Sequence, residues 1–510
     1  MTTKGFRALI ALCVFSVTCI LLPLAEAGEA VQLRILYVND FHGFAEPYRP
    51  SGSKAFMGGI AYLADELERQ RQGRPTLFLA AGDMIQGNPW ANLFEGRSSM
   101  EVMNSMNVSA MVLGNHEFDF GPKVLGARIQ EARFPILAAN VREIPKISPY
   151  IFKEIAGLKI AIIGLITEET PTSTHPKNVQ GLIFSPAVDT CQKALKEIGA
   201  QADLVIVLSH LGLPADIRLA QAVDGVPLIV GGHSHTRIES PMKIKDTLIV
   251  QAWEHAKVLG LLDLTFQDRK IIRYEGRLIP IAPDKQQPDP RVKEIVARYS
   301  QEAAAVLDEV IGQALLDLSA QGARTQETNL GNLVADVLRK ETQSDVALTN
   351  GGGLRTDILK GPVRMKDLFA VLPFTNYPVV LKVTGRELKA IFEYGLSDAG
   401  GGRFPQVSGV RIIFDPAAPA GQKITSFFVG EKPLSPETWY SLATNDFLAA
   451  GGDGYALLKQ IALLKEGDPP KENRVLLFDT GRELRDLMVS YVKEKKQISA
   501  SVEGRIQRKE

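Results

Sequence analysis

The sequence predicts an α/β protein with two domains joined by a linker helix, and three observations carry that prediction. From residue 31 to about residue 283, apolar runs typical of buried strands alternate with helical stretches. The segment 281–290 is rich in Pro, Asp, Lys and Gln, a composition typical of linkers. A second series of helical and strand patterns begins near residue 312. With 510 residues, the chain is long enough for more than one hydrophobic core.

The first 27 residues have the pattern of a secretory signal peptide. Lys4 and Arg7 precede the 17-residue apolar stretch 8–24, and residues 25–27 form a small-x-small cleavage site. A membrane anchor is the alternative, but the stretch is short for a spanning helix and contains Pro23. We therefore expect a periplasmic or secreted protein that has no membrane segment after cleavage.

The first domain, residues 28–283, is expected to be built on buried strands. The linker, residues 284–311, contains a helix that begins at Pro290, has Asp289 as its N-cap and runs to about Asp308. The second domain, residues 312–510, opens with a helical stretch over 329–341 and a strand over 345–350. The strands expected in the first domain are 33–38, 76–81, 110–113, 159–165, 204–208 and 227–230.

Composition narrows the possible partners. The chain has 58 basic and 58 acidic residues, so its net charge of zero argues against a protein that binds nucleic acid through a basic surface. Cleavage of the signal peptide would leave Cys191 as the single cysteine, which excludes a disulfide within the chain. Composition leaves the oligomeric state open.

Asp, Asn and His side chains follow five of the expected strands at the point where each strand ends. In α/β folds, ligand sites gather at the carboxyl ends of strands. A single Asp or His after a strand is usually a turn residue or a helix cap. Five such positions, holding five of the seven histidines, favour a metal site. The stretches are NDFHG (39–43), GDMIQG (82–87), GNHEFD (114–119), SHLG (209–212) and GGHSH (231–235).

These stretches offer more donors than one tetrahedral ion needs, so we expect two divalent metal ions. A carboxylate can bridge two ions about 3.5–4 Å apart, an arrangement suited to in-line displacement at phosphorus. Oxygen and imidazole donors without thiolates fit Zn, Mn, Co or Fe rather than Cu(I) or Ca, and we expect Zn, Mn or Co. The candidate ligands are Asp40, His42, Asp83, Asn115, His210, His233 and His235.

The five motifs resemble those of the calcineurin-type metallophosphoesterases, and their spacing is most similar to the secreted 5′-nucleotidase branch. This resemblance covers essentially the whole chain after residue 27. It implies a four-layer αββα metallophosphoesterase domain, joined by a linker helix to a smaller α/β substrate-binding domain. The Ser/Thr protein phosphatases share the metal set but carry Asp-Arg-Gly where this chain has residues 85–87, Ile-Gln-Gly.

The resemblance also implies how the metal ligands are shared. Asp83 bridges the two ions, and the position of His235 varies among Gln, Asn and His in the family. One ion is expected to bind Asp40, His42, Asp83 and His235, and the other Asp83, Asn115, His210 and His233.

His116 and Asp119 are the expected catalytic pair. Asn115 and His116 cannot easily bind the same ion, which leaves His116 free to face the substrate. Asp119 lies three residues on and is placed to accept a hydrogen bond from the other ring nitrogen. A purely structural His–Asp pair is the alternative. The remaining histidines, His175 and His255, lie outside the motifs and are expected to be structural.

The second domain is expected to determine substrate specificity. Three glycines and an arginine after the strand at 345–350 allow close backbone approach and offer a cation to an anion. In the family, two aromatic rings sandwich the nucleobase and an aspartate binds the ribose; core packing is the alternative for the rings. The expected substrate residues are Arg324, Asn350, Gly352, Gly353, Arg355, Phe374, Asn376, Phe447 and Asp453.

We therefore expect a hydrolase that releases phosphate from nucleoside 5′-monophosphates and also accepts UDP-sugars. In the family, water activated by the metals attacks phosphorus while the His–Asp pair assists, and the second domain rotates on the linker helix. Gln326 and Glu327 stand where the family often has basic residues, which leaves open how strongly a diphosphate is held. Alternatives are a 2′,3′-cyclic nucleotide phosphodiesterase, a thiosulfate-ester hydrolase and a catalytically silent nucleotide-binding protein.

Overall fold

A computed structural model describes residues 30–49, 55–397, 400–463, 474–478 and 481–509. The predicted signal peptide, residues 1–27, lies outside this part of the chain. No helix among the described residues combines the length and the apolar character needed to cross a bilayer.

The first domain contains two six-stranded sheets, which run in the orders β14-β13-β1-β2-β3-β4 and β11-β12-β10-β9-β7-β6. All six strands expected there are confirmed. The strands are β1 (Val31–Val38), β2 (Thr76–Ala80), β3 (Ala110–Val112), β4 (Ile136–Leu137), β5 (Val141–Arg142), β6 (Tyr150–Ile155), β7 (Leu158–Ile166), β8 (Ile183–Phe184), β9 (Leu204–His210), β10 (Leu228–Gly231), β11 (Met242–Ile244), β12 (Thr247–Gln251), β13 (Val258–Gln267) and β14 (Lys270–Pro280).

Helices cover the outer faces of both sheets. Residues alternate along β1: Ile35 and Tyr37 pack between the two sheets, whereas Leu36 and Val38 pack against helices. The expected four-layer αββα arrangement is confirmed, because a further apolar cluster joins the second sheet to helices on its far side. The helices are α1 (Ile60–Arg71), α2 (Pro89–Asn92), α3 (Arg97–Ser105), α4 (Pro122–Glu131), α5 (Thr170–Ser173), α6 (Ala187–Ile198) and α7 (Leu213–Ala222).

The linker helix, α8 (Pro290–Leu307), begins and ends as the sequence predicts. The Asp289 carboxylate accepts hydrogen bonds from the backbone N–H groups of residues 291 and 292, at 2.9 and 3.0 Å. Its apolar face, formed by Val292, Val296 and Tyr299, packs into the core of the first domain. The helix is therefore anchored on the first domain rather than suspended between the two.

The second domain is built around a five-stranded sheet of order β19-β16-β23-β18-β24. The helices are α9 (Asn329–Thr342), α10 (Met365–Val371), α11 (Gly385–Gly395), α12 (Asp446–Ala449), α13 (Ala456–Leu463) and α14 (Leu484–Lys495). The strands are β15 (Val310–Ala314), β16 (Val346–Asn350), β17 (Gly361–Arg364), β18 (Pro378–Thr384), β19 (Pro405–Ser408), β20 (Val410–Phe414), β21 (Ile424–Val429), β22 (Lys432–Pro433), β23 (Trp439–Asn445), β24 (Val475–Phe478), β25 (Gln497–Ile498) and β26 (Ile506–Arg508).

Parallel pairing places the predicted motifs at one end of the first domain. Strands β1, β2 and β3 are parallel neighbours in one sheet, and β9, β10 and β12 are parallel neighbours in the other. Their carboxyl ends converge because the two sheets stack face to face.

Candidate functional site

Five of the seven predicted metal ligands adopt a left-handed backbone conformation. The φ angles of Asp40, His42, Asp83, His233 and His235 lie between 49° and 74°. Side chains other than glycine rarely adopt this conformation, which costs roughly 1–3 kcal/mol per residue unless the surroundings impose it. The strand ends are therefore bent so that these side chains turn towards one centre.

Two glycines let the ligand loops approach one another. A side chain at Gly114 would lie 2.2 Å from Asp83 Oδ1, and one at Gly82 would lie 2.5 Å from His210 Nδ1. No other residue type fits such contacts without moving a ligand.

The first group of facing donors consists of Asp40, His42 and His235. His42 Nδ1–H donates to the Gln86 carbonyl at 2.8 Å, and His235 Nδ1 is bonded to the Glu254 carboxylate. These bonds leave both Nε2 atoms to face each other at 3.2 Å. Burial would lower the pKa of His235, but the Asp40 and Glu254 carboxylates raise it to about 9, so this group of side chains attracts positive charge.

The second group consists of Asp83, His210 and His233. Asn115 lines the same cavity as Asp83 and His233. His210 Nδ1–H donates to the Ala81 carbonyl at 2.6 Å. Asn115 Oδ1 is buried and has no hydrogen-bond partner within the described ranges, and His210 Nε2 faces only the Asp83 carboxylate, at 3.1 Å. Buried polar atoms without partners are rare, and metal coordination satisfies them. The residues present therefore fit a metal ion.

Asp83 faces both groups. Its Oδ2 lies 3.8 Å from His42 Nε2 and 3.1 Å from His210 Nε2, while its Oδ1 accepts the backbone N–H of His116 at 2.9 Å. An oxygen placed between two sets of imidazoles is suited to bridge two ions.

Burial and charge shape protonation in this centre. Burial holds the pKa of His42 well below its usual range and, together with the neighbouring His210, lowers the pKa of His233 to about 3. Both rings are therefore neutral, the form that binds metals. Burial opposes charge on His210 as well, yet the Asp83 carboxylate outweighs it and raises the pKa of His210 to about 10. The centre thus attracts positive charge.

His116 and Asp119 form the expected pair. His116 Nδ1 lies 2.7 Å from Asp119 Oδ2, which leaves Nε2 for a substrate. Burial alone would lower the pKa of His116, but the Asp119 and Asp83 carboxylates raise it and favour the imidazolium. The ring of Phe374, from the second domain, stacks on His116 with 5.7 Å between centroids.

One cavity of about 1350 Å³ joins the metal centre to the second domain. His116 and Asp119 line it, and Arg355 reaches from the second domain to within 3.4 Å of His42 Nε2. The nine predicted substrate residues all line this cavity: Arg324, Asn350, Gly352, Gly353, Arg355, Phe374, Asn376, Phe447 and Asp453.

Asp453 is held in place by side chains from two other elements, β16 and α11. Asn350 Nδ2 donates to the Asp453 carboxylate at 2.6 Å, and the Tyr394 hydroxyl donates to the Asp453 carbonyl at 3.0 Å. The Phe447 ring lies against Gly452, where a side chain would come within 2.4 Å of the ring. The loop therefore presents an aromatic face and a carboxylate to the same cavity.

His175 and His255, which the sequence led us to expect to be structural, both line this cavity. His255 stacks on Phe44 at 3.8 Å between centroids and lies 5.8 Å from the His42 ring. It follows β12, a strand that the prediction missed, and the same strand-then-histidine pattern would have found it. His175 Nε2 lies 3.3 Å from Asp446 Oδ2 of the second domain.

Two glutamates beside the ligands were also missed. Glu254 contacts His235, as described above, and Lys257 at 2.5 Å. The Glu117 carboxylate accepts backbone N–H groups from residues 83, 84 and 114, at 2.9, 2.7 and 2.6 Å, and so ties two ligand loops together. Its position in GNHEFD was a signal, since a glutamate in the first turn of a helix commonly caps backbone donors.

Comparisons with known proteins agree with this architecture. Residues 33–237 match the calcineurin-like phosphoesterase family, and residues 306–460 match the 5′-nucleotidase C-terminal domain family. The chain is 34% identical over 491 residues to a snake venom 5′-nucleotidase of Naja atra, covering 84% of this chain and 92% of that protein.

Two further similar proteins are matched over different shares of their length. A trifunctional nucleotide phosphoesterase protein of Bacillus subtilis is 31% identical over 442 residues, which is 76% of this chain but 30% of that longer protein. The crystal structure of a 5′-nucleotidase precursor from Thermus thermophilus superposes with a TM-score of 0.86 at 36% identity, covering 94% of this chain and 99% of that one.

Proposed function

This chain belongs to the 5′-nucleotidase family of phosphoric monoester hydrolases, and we propose that it releases phosphate from nucleoside 5′-monophosphates. The observation that carries the proposal is the shared cavity. Four of the predicted metal ligands, Asp83, Asn115, His233 and His235, line it together with the His116–Asp119 pair from the first domain. From the second domain, Phe374, Phe447 and Asp453 line it as well.

Two divalent ions, Zn, Mn or Co, would be held at this site. Asp40, His42, Asp83 and His235 would hold one, and Asp83, Asn115, His210 and His233 the other. In support, the donor atoms of Asp40, His42 and His235 lie within 4.8 Å of one another, and so do those of Asp83, His210 and His233. When bound, such ions supply Lewis acidity, an activated water and neutralisation of charge at phosphorus.

His116 would act on the substrate side of the centre. Asp119 fixes its Nδ1–H, so Nε2–H is free to donate to the transferring phosphoryl group or to the leaving oxygen. Arg355, which extends from the second domain to within 3.4 Å of His42 Nε2, would pair with the phosphoryl oxygens.

The second domain would hold the nucleoside. Phe374 and Phe447 would stack on the two faces of the base, a contact that tolerates different bases. Asp453 would accept hydrogen bonds from the ribose hydroxyls. Arg324, Asn350, Asn376 and the backbone at Gly352 and Gly353 complete this wall.

A second candidate, cleavage of UDP-sugars, is favoured by the size of the cavity. Its volume of about 1350 Å³ exceeds the roughly 300–1,000 Å³ of most small-molecule sites. It leaves room for a group attached beyond the first phosphate.

We also propose that the protein is exported by cleavage of residues 1–27, and that its domains span residues 28–283 and 312–510 with residues 284–311 between them. The snake venom relative supports export.

The test is a hydrolysis panel on metal-loaded protein with AMP, UDP-glucose, 2′,3′-cyclic AMP and an aryl phosphate. We expect AMP to be the best substrate. Turnover of the aryl phosphate alone would refute the nucleoside site, and a preference for cyclic AMP would replace the proposed activity with the phosphodiesterase.

His116→Ala is the companion variant. It should lower kcat by about 10²–10⁴-fold, the range of a lost general acid, while the metal content stays at the wild-type value. Loss of metal together with activity would instead make His116 part of the metal site.

A further inference from the structure

Residues 170–178 form a segment of the first domain that touches both halves of the site. We call it the bridging segment. It contains α5 and the 3₁₀ turn Pro176–Val179 begins within it. None of its residues belongs to the sequence motifs, and nothing in the proposed reaction uses them.

On one side, the bridging segment holds the catalytic pair. The Thr174 hydroxyl donates to Asp119 Oδ1 at 2.5 Å, and Asn178 Nδ2 donates to the Asp119 carbonyl at 2.8 Å. The other oxygen of the same carboxylate, Oδ2, holds His116 Nδ1. Hydroxyl, carboxylate and imidazole therefore form one chain of hydrogen bonds.

On the other side, the segment touches the second domain. His175, the residue after Thr174, contacts Asp446 at the start of α12. Helix α5 packs against the turn Gly452–Gly454, which contains Asp453. The same few residues thus contact the loop that would hold the ribose and the carboxylate that orients His116.

The hydrogen bond from the Thr174 hydroxyl restricts the orientation of the Asp119 carboxylate. Thr174 is 2% exposed, so water cannot readily replace its hydroxyl. Without this donor, Asp119 Oδ1 would lose a partner and the carboxylate would be free to turn about its last torsion. His116 would keep a partner but lose a fixed ring orientation, on which its reach towards the substrate depends.

We propose that Thr174 is a positioning residue that fixes the orientation of His116 through Asp119. Through the contact of His175 with Asp446, the bridging segment couples this orientation to the position of the second domain. The proposal rests on the proposed function, because it assigns His116 a role in turnover. It adds a residue and a route by which the nucleoside-binding loop acts on the catalytic pair.

Thr174→Val removes the hydroxyl and keeps the shape of the side chain. We expect kcat to fall about tenfold for AMP and for an aryl phosphate, with KM and metal content unchanged. Thr174→Ser should restore kcat. The matched control is Thr172→Val, the same substitution in the same segment, where the hydroxyl donates to the Glu169 carbonyl rather than to Asp119.

A double-mutant cycle separates positioning from a general loss of structure. If Thr174 acts through Asp119, Thr174→Val should change kcat by less than about twofold in an Asp119→Ala background. A full tenfold loss in that background, or wild-type kcat in Thr174→Val alone, would overturn the assignment. If the wild type hydrolyses the aryl phosphate but not AMP, the proposed function fails while Thr174 is still tested.

His175→Ala tests the link to the second domain. We expect a lower kcat for AMP with little change for the aryl phosphate, and no further loss of AMP turnover when it is combined with Thr174→Val. A change confined to KM, or fully multiplicative losses in the double variant, would show that the contact with Asp446 does not act on the catalytic pair.

Discussion

The candidate metal ligands and the residues proposed to face a nucleoside lie on different domains and are held in different ways. Asp40, His42 and Asp83 have side chains that are 2% exposed or less, and hydrogen bonds fix the rings of His42 and His210. Across the cavity, Phe374, Phe447 and Asp453 are only half-buried, and Arg324 is exposed. The wall that carries the candidate metal ligands, which we call the preset wall, is therefore buried and fixed by hydrogen bonds. The wall that carries Phe374, Phe447 and Asp453, which we call the open wall, is accessible to solvent.

This difference follows from what each wall would do. Stabilising charge at phosphorus requires donors that do not reorganise during the reaction, so left-handed backbone and buried carboxylates are tolerated at the metal centre. Stacking and ribose hydrogen bonds tolerate small shifts, so half-buried side chains on loops suffice. The metal centre should therefore be sensitive to single-atom changes, and the nucleoside wall should lose function gradually.

Asp83→Asn should have the largest effect. It removes the oxygen that faces both ligand groups, so both ions should bind more weakly and activity should fall by about 10³-fold or more, from the several kcal/mol that metal ions supply. Metal content by atomic spectroscopy and phosphate release would be measured together. Asp246→Asn, an exposed aspartate in a turn, is the control. Retention of both metals and full activity would contradict the bridging role.

Glu254→Gln should have a smaller effect on the same wall. Glu254 fixes the Nδ1–H tautomer of His235, and loss of such a partner typically weakens metal binding by about 10–100-fold. Titration with a competing chelator should show one weakened ion and one unchanged ion. Glu169→Gln, an exposed glutamate at the cavity, is the control. Equal weakening of both ions would place Glu254 outside the His235 site.

The sequence predicted the candidate metal ligands better than the residues that hydrogen-bond to the site residues. Apolar runs ending in Asp, Asn or His identified five strand ends, because strand and ligand are neighbours along the chain. Thr174 and Glu254 escaped, since their partners lie 55 and 19 residues away and only the fold brings them together. Phe374 and Phe447 were predicted through family resemblance alone, because an isolated Phe is usually part of the core.

The linker helix is a second case in which contacts between residues distant in sequence were not predicted. Its start, its cap at Asp289 and its end could be predicted from local residues. Its packing on the first domain was not predicted, although the spacing of Val292, Val296 and Tyr299 marks one apolar face. Local patterns define an element, whereas its partner is set by surfaces distant in sequence.

Phe447→Ala should show the graded response of the open wall. Loss of one stacking face costs about 1–3 kcal/mol, so KM for AMP should rise about tenfold or more while kcat changes little. Turnover of an aryl phosphate, which has no base, should be unchanged and serves as the internal control. Equal losses for both substrates would mean that Phe447 supports the fold rather than the base.

Asp216→Asn should have the smallest effect, on stability alone, and it tests the cost of burying carboxyls near the metal centre. Burial raises the pKa of Asp216 to about 7, well above its value in an unfolded chain, and its Oδ1 accepts the hydroxyl of Ser209, next to His210. Unfolding releases a proton between these two pKa values, so the wild type loses stability as pH rises towards 7.

The Asp216→Asn variant has no ionisable group at this position. Between pH 5 and pH 8, its free energy of unfolding in metal-free protein, measured with urea, should rise relative to that of the wild type by about 2–3 kcal/mol. Asp246→Asn should show no such trend, and a difference that is constant with pH would mean that Asp216 is already charged in the folded protein.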